Sequence, residues 1–204
     1  MKKDGILYTV VFSFVVAFLF VFLLALANEG TAGIVKRNQE IARQKAVLSA
    51  MAIPFHSDEE AEERYKAIEI VEKEGIRLYK GTEGGETIYA KEFSGSGLWG
   101  TITGILAVDA SVTRIVGIQI VSHNETPGLG GRVAEPWFKE QFQGLRIRDG
   151  RIRVTYGAEA GSGKANKEEG IVDGITGASR TSQAMDAILN SEIALLKQIL
   201  GGTK

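Results

Sequence analysis

Apolar residues in this chain first run together and only later alternate with polar ones. Ile6 to Ala27 reads ILYTVVFSFVVAFLFVFLLALA, without a charge or a proline, and about 20 such residues cross the hydrocarbon core of a bilayer as a helix. Lys2 and Lys3 ahead of the run and Ala25-Leu26-Ala27 at its end also outline a cleaved signal peptide. The run exceeds the roughly 7–15 apolar residues of such peptides, however. The pattern therefore predicts a transmembrane helix over 6–27 behind a short segment, 1–5. Lys2 and Lys3 compete with Lys36, Arg37, Arg43 and Lys45 just beyond the span, so charge sets the orientation only weakly. A short cytoplasmic N-terminus with the bulk of the chain outside is the expectation.

Past the span the pattern takes a helical period. Ile34, Ile41, Ala42, Val47, Leu48 and Met51 recur amid charge and predict an amphipathic connecting helix within residues 28–55. Ser57-Asp58-Glu59-Glu60 is a capping box, and its helix is expected to run to Glu74 and stop at Gly75. From Ile76 the period shortens to two. Strands are expected at Ile76–Tyr79, Thr87–Phe93, Gly100–Val108 and Val112–Val121, the last two joined by the short connector Asp109-Ala110-Ser111. A short helix near Ala134–Phe142, a strand near Arg151–Thr155, an exposed loop over Tyr156–Glu169 and a helix from Ser179 or Arg180 to Leu200 complete the reading. Residues 56–204 are thus expected to form one α+β domain, a central antiparallel sheet with flanking helices.

Composition narrows the chemistry. The 204 residues suffice for one sizeable domain plus an appendage. A net charge of -1 gives no basic footprint for nucleic acid. The absence of cysteine excludes disulfides, iron–sulfur clusters, thiolate zinc and cysteine nucleophiles. His56 and His123 are the only histidines, too few for a histidine-rich metal site, and no metal ligands or catalytic residues are assigned. Redox chemistry here requires an organic cofactor.

Four glycine-bearing motifs compete for function. Gly95-Ser96-Gly97-Leu98-Trp99-Gly100 matches a dinucleotide fingerprint literally, but TITGILAV follows it, a strand where the fingerprint must open a helix. It reads as a glycine turn entering a strand, with a nicotinamide dehydrogenase the weaker alternative. Gly161-Ser162-Gly163-Lys164 lacks the first glycine and the hydroxyl of a phosphate loop, which are Ala158 and Ala165. The run from His123 to Gly131, HNETPGLGG, follows a strand and either approaches a planar ligand or is a turn set by Thr126-Pro127-Gly128. In DGITGASRTS, Asp173 to Ser182, small and hydroxylated residues crowd the start of the last helix. Such a start attracts phosphate, unless Ser179, Thr181 or Ser182 simply caps the helix.

Taken in order, the N-terminal span, the NQEIARQKAVLSA helix, GSGLWG, HNETPGLGG and DGITGAS resemble the FMN-binding subunits of the ion-translocating Nqr and Rnf complexes, the C subunit of Nqr and the G subunit of Rnf. The likeness covers nearly the whole chain. The GLW turn is closer to Nqr and the compact length to Rnf. The resemblance implies FMN bonded through its phosphate to the last residue of the [ST]GA[ST] motif, here Ser179, by a separate magnesium-dependent flavin transferase that uses FAD. The transferase's recognition motif would be Asp173, Thr176, Gly177 and Ala178. Glu125, Thr126, Gly128 and Leu129 would line the flavin, with Thr176 and Gly177 on the phosphate side. Serine stands where the family usually has threonine; both present an alcohol. The implied role is an electron relay at the extracytoplasmic face of the inner membrane, partnered by the other members of the complex and the lipid bilayer. A flavin-free anchoring or assembly role is the alternative.

Overall fold

Strand pairing in the computed structural model, which describes residues 5–201, follows the sequence's two-residue alternation closely. The expected N-terminal segment 1–5, with Lys2 and Lys3, lies outside the described residues except for Gly5. Helix α1 runs Ile6–Ala50 through 45 residues, so the predicted span and the predicted connecting helix are one helix. Nothing in NEGTAG, residues 28–33, stops it, because a glycine costs a helix only about 1 kcal/mol relative to alanine. The stretch up to Ile41 is a unit by itself, long and apolar enough by composition to cross a membrane. Of the expected amphipathic positions, Val47, Leu48 and Met51 are buried, whereas Ile34 is exposed.

From Ala42 onward the chain forms a second unit built on a six-stranded antiparallel sheet in sequential order. Its strands are β1 (Glu69–Lys73), β2 (Ile76–Glu83), β3 (Glu86–Ser96), β4 (Thr101–Asp109), β5 (Arg114–Ser122) and β6 (Leu145–Arg146). Strands β2 to β5 realise the four predicted runs, β2 and β3 with longer ends, β4 shifted by one residue and β5 beginning two residues later. Side chains leave the sheet alternately on its two faces. Tyr79, Ile88, Ala90, Ile105, Ala107 and Val116 pack beneath the last turns of α1 and helix α2 (Asp58–Lys66). Leu78, Phe93, Leu106, Val108, Ile115 and Ile118 pack beneath helices α3 (Pro136–Glu140) and α4 (Ser179–Gly201). Burial on both faces explains why β4 is almost continuously apolar.

The predicted helix over 57–74 is only half there. Ser57 caps α2, accepting from the Glu60 amide at 3.1 Å, while the Glu60 carboxylate takes the His56 amide at 2.8 Å. The helix ends at Lys66, and Glu69–Lys73 becomes β1, paired Lys73↔Ile76 across Glu74-Gly75. Both turn residues have positive φ, 51° and 76°, which suits the two-residue hairpin turn that matches strand twist. Gly75 thus makes a hairpin rather than a helix stop. Strand β8 (Ile171–Val172) also escaped prediction; it pairs in parallel with β7 (Arg153–Val154), which lies inside the expected strand near 151–155. Two residues are too few for periodicity to register.

Helix α4 is fixed in register by polar contacts. Asp186 and Asn190 accept from the amides of Val154 and Ile152 at 2.8 and 2.9 Å. Lys91 of β3 meets Glu192 at 2.7 Å, both side chains mostly buried.

The connection from β4 to β5 is organised by Asp109. Its carboxylate accepts from the Ser111 and Thr113 hydroxyls and from the amides of Thr113 and Arg114, at Val112 φ +52°. Burial alone would raise this carboxyl; the four donors outweigh it and hold its pKa below the ordinary carboxylate value. Its stabilisation is therefore present above the unfolded-state pKa of about 4 and is lost as pH falls through the lower folded value. Asp109→Asn should cost about 1–2 kcal/mol at pH 7 and flatten the acid limb of stability below pH ~4. Urea unfolding across pH checks this, and an unchanged acid limb would contradict it.

Candidate functional site

Three of the glycine-bearing motifs meet beyond one end of β4 and β5. The first is the β3–β4 hairpin tip, closed by the Gly97 amide on the Gly100 carbonyl at 2.7 Å. As expected, it is a turn entering a strand. The second, His123–Gly131, leaves β5 and turns into a 3-10 helix at Gly130–Ala134. The third is the approach to α4.

Glu125 joins all three. Its side chain is 4% exposed. Oε1 accepts from the amides of Leu98 and Trp99 at 2.9 and 3.0 Å, and Oε2 accepts from the Thr181 hydroxyl on the first turn of α4 at 2.5 Å. No ion pair involves it among the described residues, and its oxygens are met by amide and hydroxyl donors. The glycines make room. A Cβ on Gly97 would lie 2.5 Å from Oε1 of Glu125, and one on Gly130 would lie 2.6 Å from Oε2. Gly100 likewise clears Asn124. The literal GxGxxG thus accommodates a carboxylate and its neighbour, with no helix behind it.

The hydroxyls at the start of α4 all bond elsewhere. Ser179 Oγ accepts from the Gly157 amide at 3.1 Å, Thr181 donates to Glu125, and Ser182 Oγ accepts from the Ile175 amide at 2.9 Å. The reading in which one of them simply caps the helix is not what forms. The first intrahelical bond runs from the Ser182 amide to the carbonyl of Ala178, a residue whose side chain cannot cap. Among the described residues no acceptor engages the amides of Ser179, Arg180 or Thr181. A helix of 23 residues therefore presents uncapped donors and the positive end of its dipole.

The other sequence-predicted residues fall around this end. Ala178 is buried, and Thr176 and Gly177 are exposed. Gly177 has φ +79°, and a Cβ there would lie 3.3 Å from Leu129 Cδ2. The two loops expected to share a ligand therefore touch. Thr126, Gly128 and Leu129 are exposed, with the Thr126 carbonyl accepting the amides of Leu129 and Gly131 at 3.1 and 2.9 Å. Both Glu125 oxygens are engaged within the protein. Asp173 is also engaged: Oδ1 accepts from Thr155 Oγ1 and the Gly161 amide, and Oδ2 from the Gly163 amide.

Several contributors were not among the expected site residues: the exposed Leu98 and Trp99, Gly157 and Arg180, with Thr181 read only as a possible helix cap. Arg180 forms no ion pair among the described residues and lines an open groove of about 460 Å³ with Ser96, Gly97, Leu98, Gln183, Ala184 and Ala187. No cluster of three or more His, Asp or Glu side chains able to hold a metal occurs among the described residues. Removing the buried bridge should loosen the assembly. Glu125→Ala leaves three donors without an acceptor and should cost about 1–3 kcal/mol. Glu125→Gln, which keeps a carbonyl oxygen for Leu98 and Trp99, should cost less. Urea unfolding measures both, and wild-type midpoints for both would contradict the bridging role.

Residues 97–194, which hold two of the three motifs whole and the first from Gly97 on, match the family model described as FMN-binding domain. The chain is similar to the C subunit of the Na(+)-translocating NADH-quinone reductase of Neisseria meningitidis, 34% identical over 110 residues, 54% of this chain and 42% of that protein. The same protein of Pseudomonas aeruginosa is 32% identical over 133 residues, 63% of this chain and 46% of that one. The matches span less than half the length of these relatives. In fold, the chain is similar to the crystal structure of the corresponding protein from Parabacteroides distasonis, with a TM-score of 0.69 at 23% identity over 84% of this chain and 96% of that one. Matched domain, relatives and α+β architecture agree: residues 97–194 match an FMN-binding domain, and the chain is similar to C subunits of the Na(+)-translocating NADH-quinone reductase.

Proposed function

We propose that Ser179 carries FMN as a phosphoester and that the chain relays electrons within a membrane ion-translocating oxidoreductase of Rnf/Nqr type, with sodium as the coupling ion. One observation carries the reading: Ser179 heads a helix whose own hydroxyls leave its first amides unclaimed. A phosphate on Oγ would meet those amides and the positive end of α4. The exposed Thr176 and Gly177 leave the phosphate side open, and Thr126, Gly128 and Leu129 offer exposed surface to the flavin. Glu125 serves this site by holding its loops, with its oxygens already taken.

FMN, when bound, would supply the one-electron chemistry. The protein's part is to hold the group, exclude its loss and set its surroundings. Ser179 is a tether in this account and takes no part in turnover. Residues 6–27 anchor the chain in the inner membrane as a single pass, with the domain on the extracytoplasmic side. The other members of the complex are its partners in electron exchange, and a flavin transferase acts on it during maturation.

Full-length chain coexpressed with a flavin transferase should keep yellow fluorescence through a denaturing gel and gain the mass of one FMN less one water. Ser179→Ala should lose both, and Ser179→Thr should retain them. Fluorescence that persists in Ser179→Ala would move the attachment elsewhere. A wild-type chain without flavin would favour an anchoring or assembly role.

A further inference from the structure

The segment after β7 is exposed along nearly all of Tyr156–Glu169, yet its glycine-rich part is tied down at four points. The Gly157 amide donates to Ser179 Oγ at 3.1 Å. The Ala160 carbonyl accepts from the Thr176 hydroxyl at 3.3 Å. The amides of Gly161 and Gly163 donate to the two oxygens of Asp173, each at 2.8 Å. The strap's partners are residues 173, 176 and 179, every polar side chain of the DGITGAS stretch.

Asp173 is the firm end of this arrangement. The Gln141 side chain clasps its main chain, accepting from its amide at 2.7 Å and donating to its carbonyl at 3.1 Å. Thr155 donates to Oδ1 from the body of the domain. The strap itself buries no apolar side chain between Tyr156 and Gly163. An element with so little buried surface opens easily, and charge-assisted bonds to a carboxylate are the strongest restraints on it. Gly161 and Gly163 reach that carboxylate at φ +75° and +69°. A Cβ on Gly161 would lie 1.9 Å from Thr176 Oγ1, so the strap passes against the motif without room for a side chain.

We propose that Asp173 is a positioning residue for flavin attachment: its carboxylate latches the Gly157–Gly163 strap, and the latched strap aims the Ser179 hydroxyl. The proposal rests on the Ser179 reading above. Attachment forms an Oγ–P bond to the FMN phosphorus of FAD and breaks the pyrophosphate P–O bond. AMP leaves and the hydroxyl proton passes to solvent. An oxygen that accepts the Gly157 N–H has its rotamer fixed, with its remaining lone pair turned away from the strap. The same donor stabilises the negative charge that grows on Oγ as the proton departs. Asp173 then acts through the strap, and contact between its carboxylate and the transferase is unnecessary.

The test uses flavin-free full-length chain in detergent, with transferase, FAD and Mg2+ added, and follows attachment by in-gel fluorescence. Asp173→Ala and Gly161→Ala should each lower kcat for attachment about tenfold while leaving KM for the carrier within about twofold, the signature of a misaimed group rather than lost recognition. Asp173→Asn, which keeps one acceptor oxygen, should recover part of the loss. In the same flavin-free variants, amide hydrogen exchange over 156–169 should quicken while that of α4 stays as in wild type. Asp173→Ala impaired with Gly161→Ala normal, or a raised KM confined to the Asp173 variants, would overturn the proposal in favour of direct reading by the transferase. Unchanged exchange in Asp173→Ala would also overturn it. Absence of flavin on the wild-type chain would instead defeat the Ser179 reading, and the exchange measurement still tests the latch.

Discussion

A buried carboxylate with no ion-pair partner among the described residues is the constraint on which this site depends. Taking Glu125 out of water is costly unless its lone pairs are filled, and three donors from two other segments fill them: Leu98 and Trp99 from the hairpin tip and Thr181 from α4. None of the three segments can shift alone without stranding a polar group. Gly97 and Gly130 are the space this requires, because a side chain at either would collide with the carboxylate.

That bridge has a consequence at the helix start. Thr181, drawn toward Glu125, is unavailable as a cap, and Ser182 is drawn back to Ile175. With alanine in the capping position, α4 keeps an open, electropositive end. The same packing thus leaves uncapped amides at the helix start, beside the Ser179 alcohol. The chain invests its hydroxyls in holding loops, and a phosphate on Ser179 would restore what the helix gives up.

Much of this was legible in the sequence, for identifiable reasons. The four long strands and α4 follow from alternation and helical period sustained over eight or more residues. The 57–74 helix was overextended because EIVEK is short and charged and Gly75 reads equally as a helix stop or a hairpin glycine; only pairing with β2 decides. The continuity of α1 was hidden by Gly30 and Gly33, which weaken a helix without ending it. At the candidate site, the sequence singled out three motifs that the fold brings together. What they could not give was the direction of each polar group. Glu125, expected to line the flavin, has both carboxylate oxygens bonded within the protein, and Asp173, expected in the recognition motif, accepts two amides of the glycine strap. Hydrogen bonds between residues 26 to 56 positions apart leave no local periodicity to read.

The central claim is that a flavin phosphate sits on one particular alcohol. Trypsin cleaves after Lys167 and after Arg180, which isolates Thr176 and Ser179 on one peptide and sends Thr181 and Ser182 to the next. Tandem mass spectrometry of protein matured with the transferase should find the FMN adduct on the first peptide, with fragment ions placing it on Ser179. An adduct on Thr176, Thr181 or Ser182, or both peptides unmodified, would contradict the account.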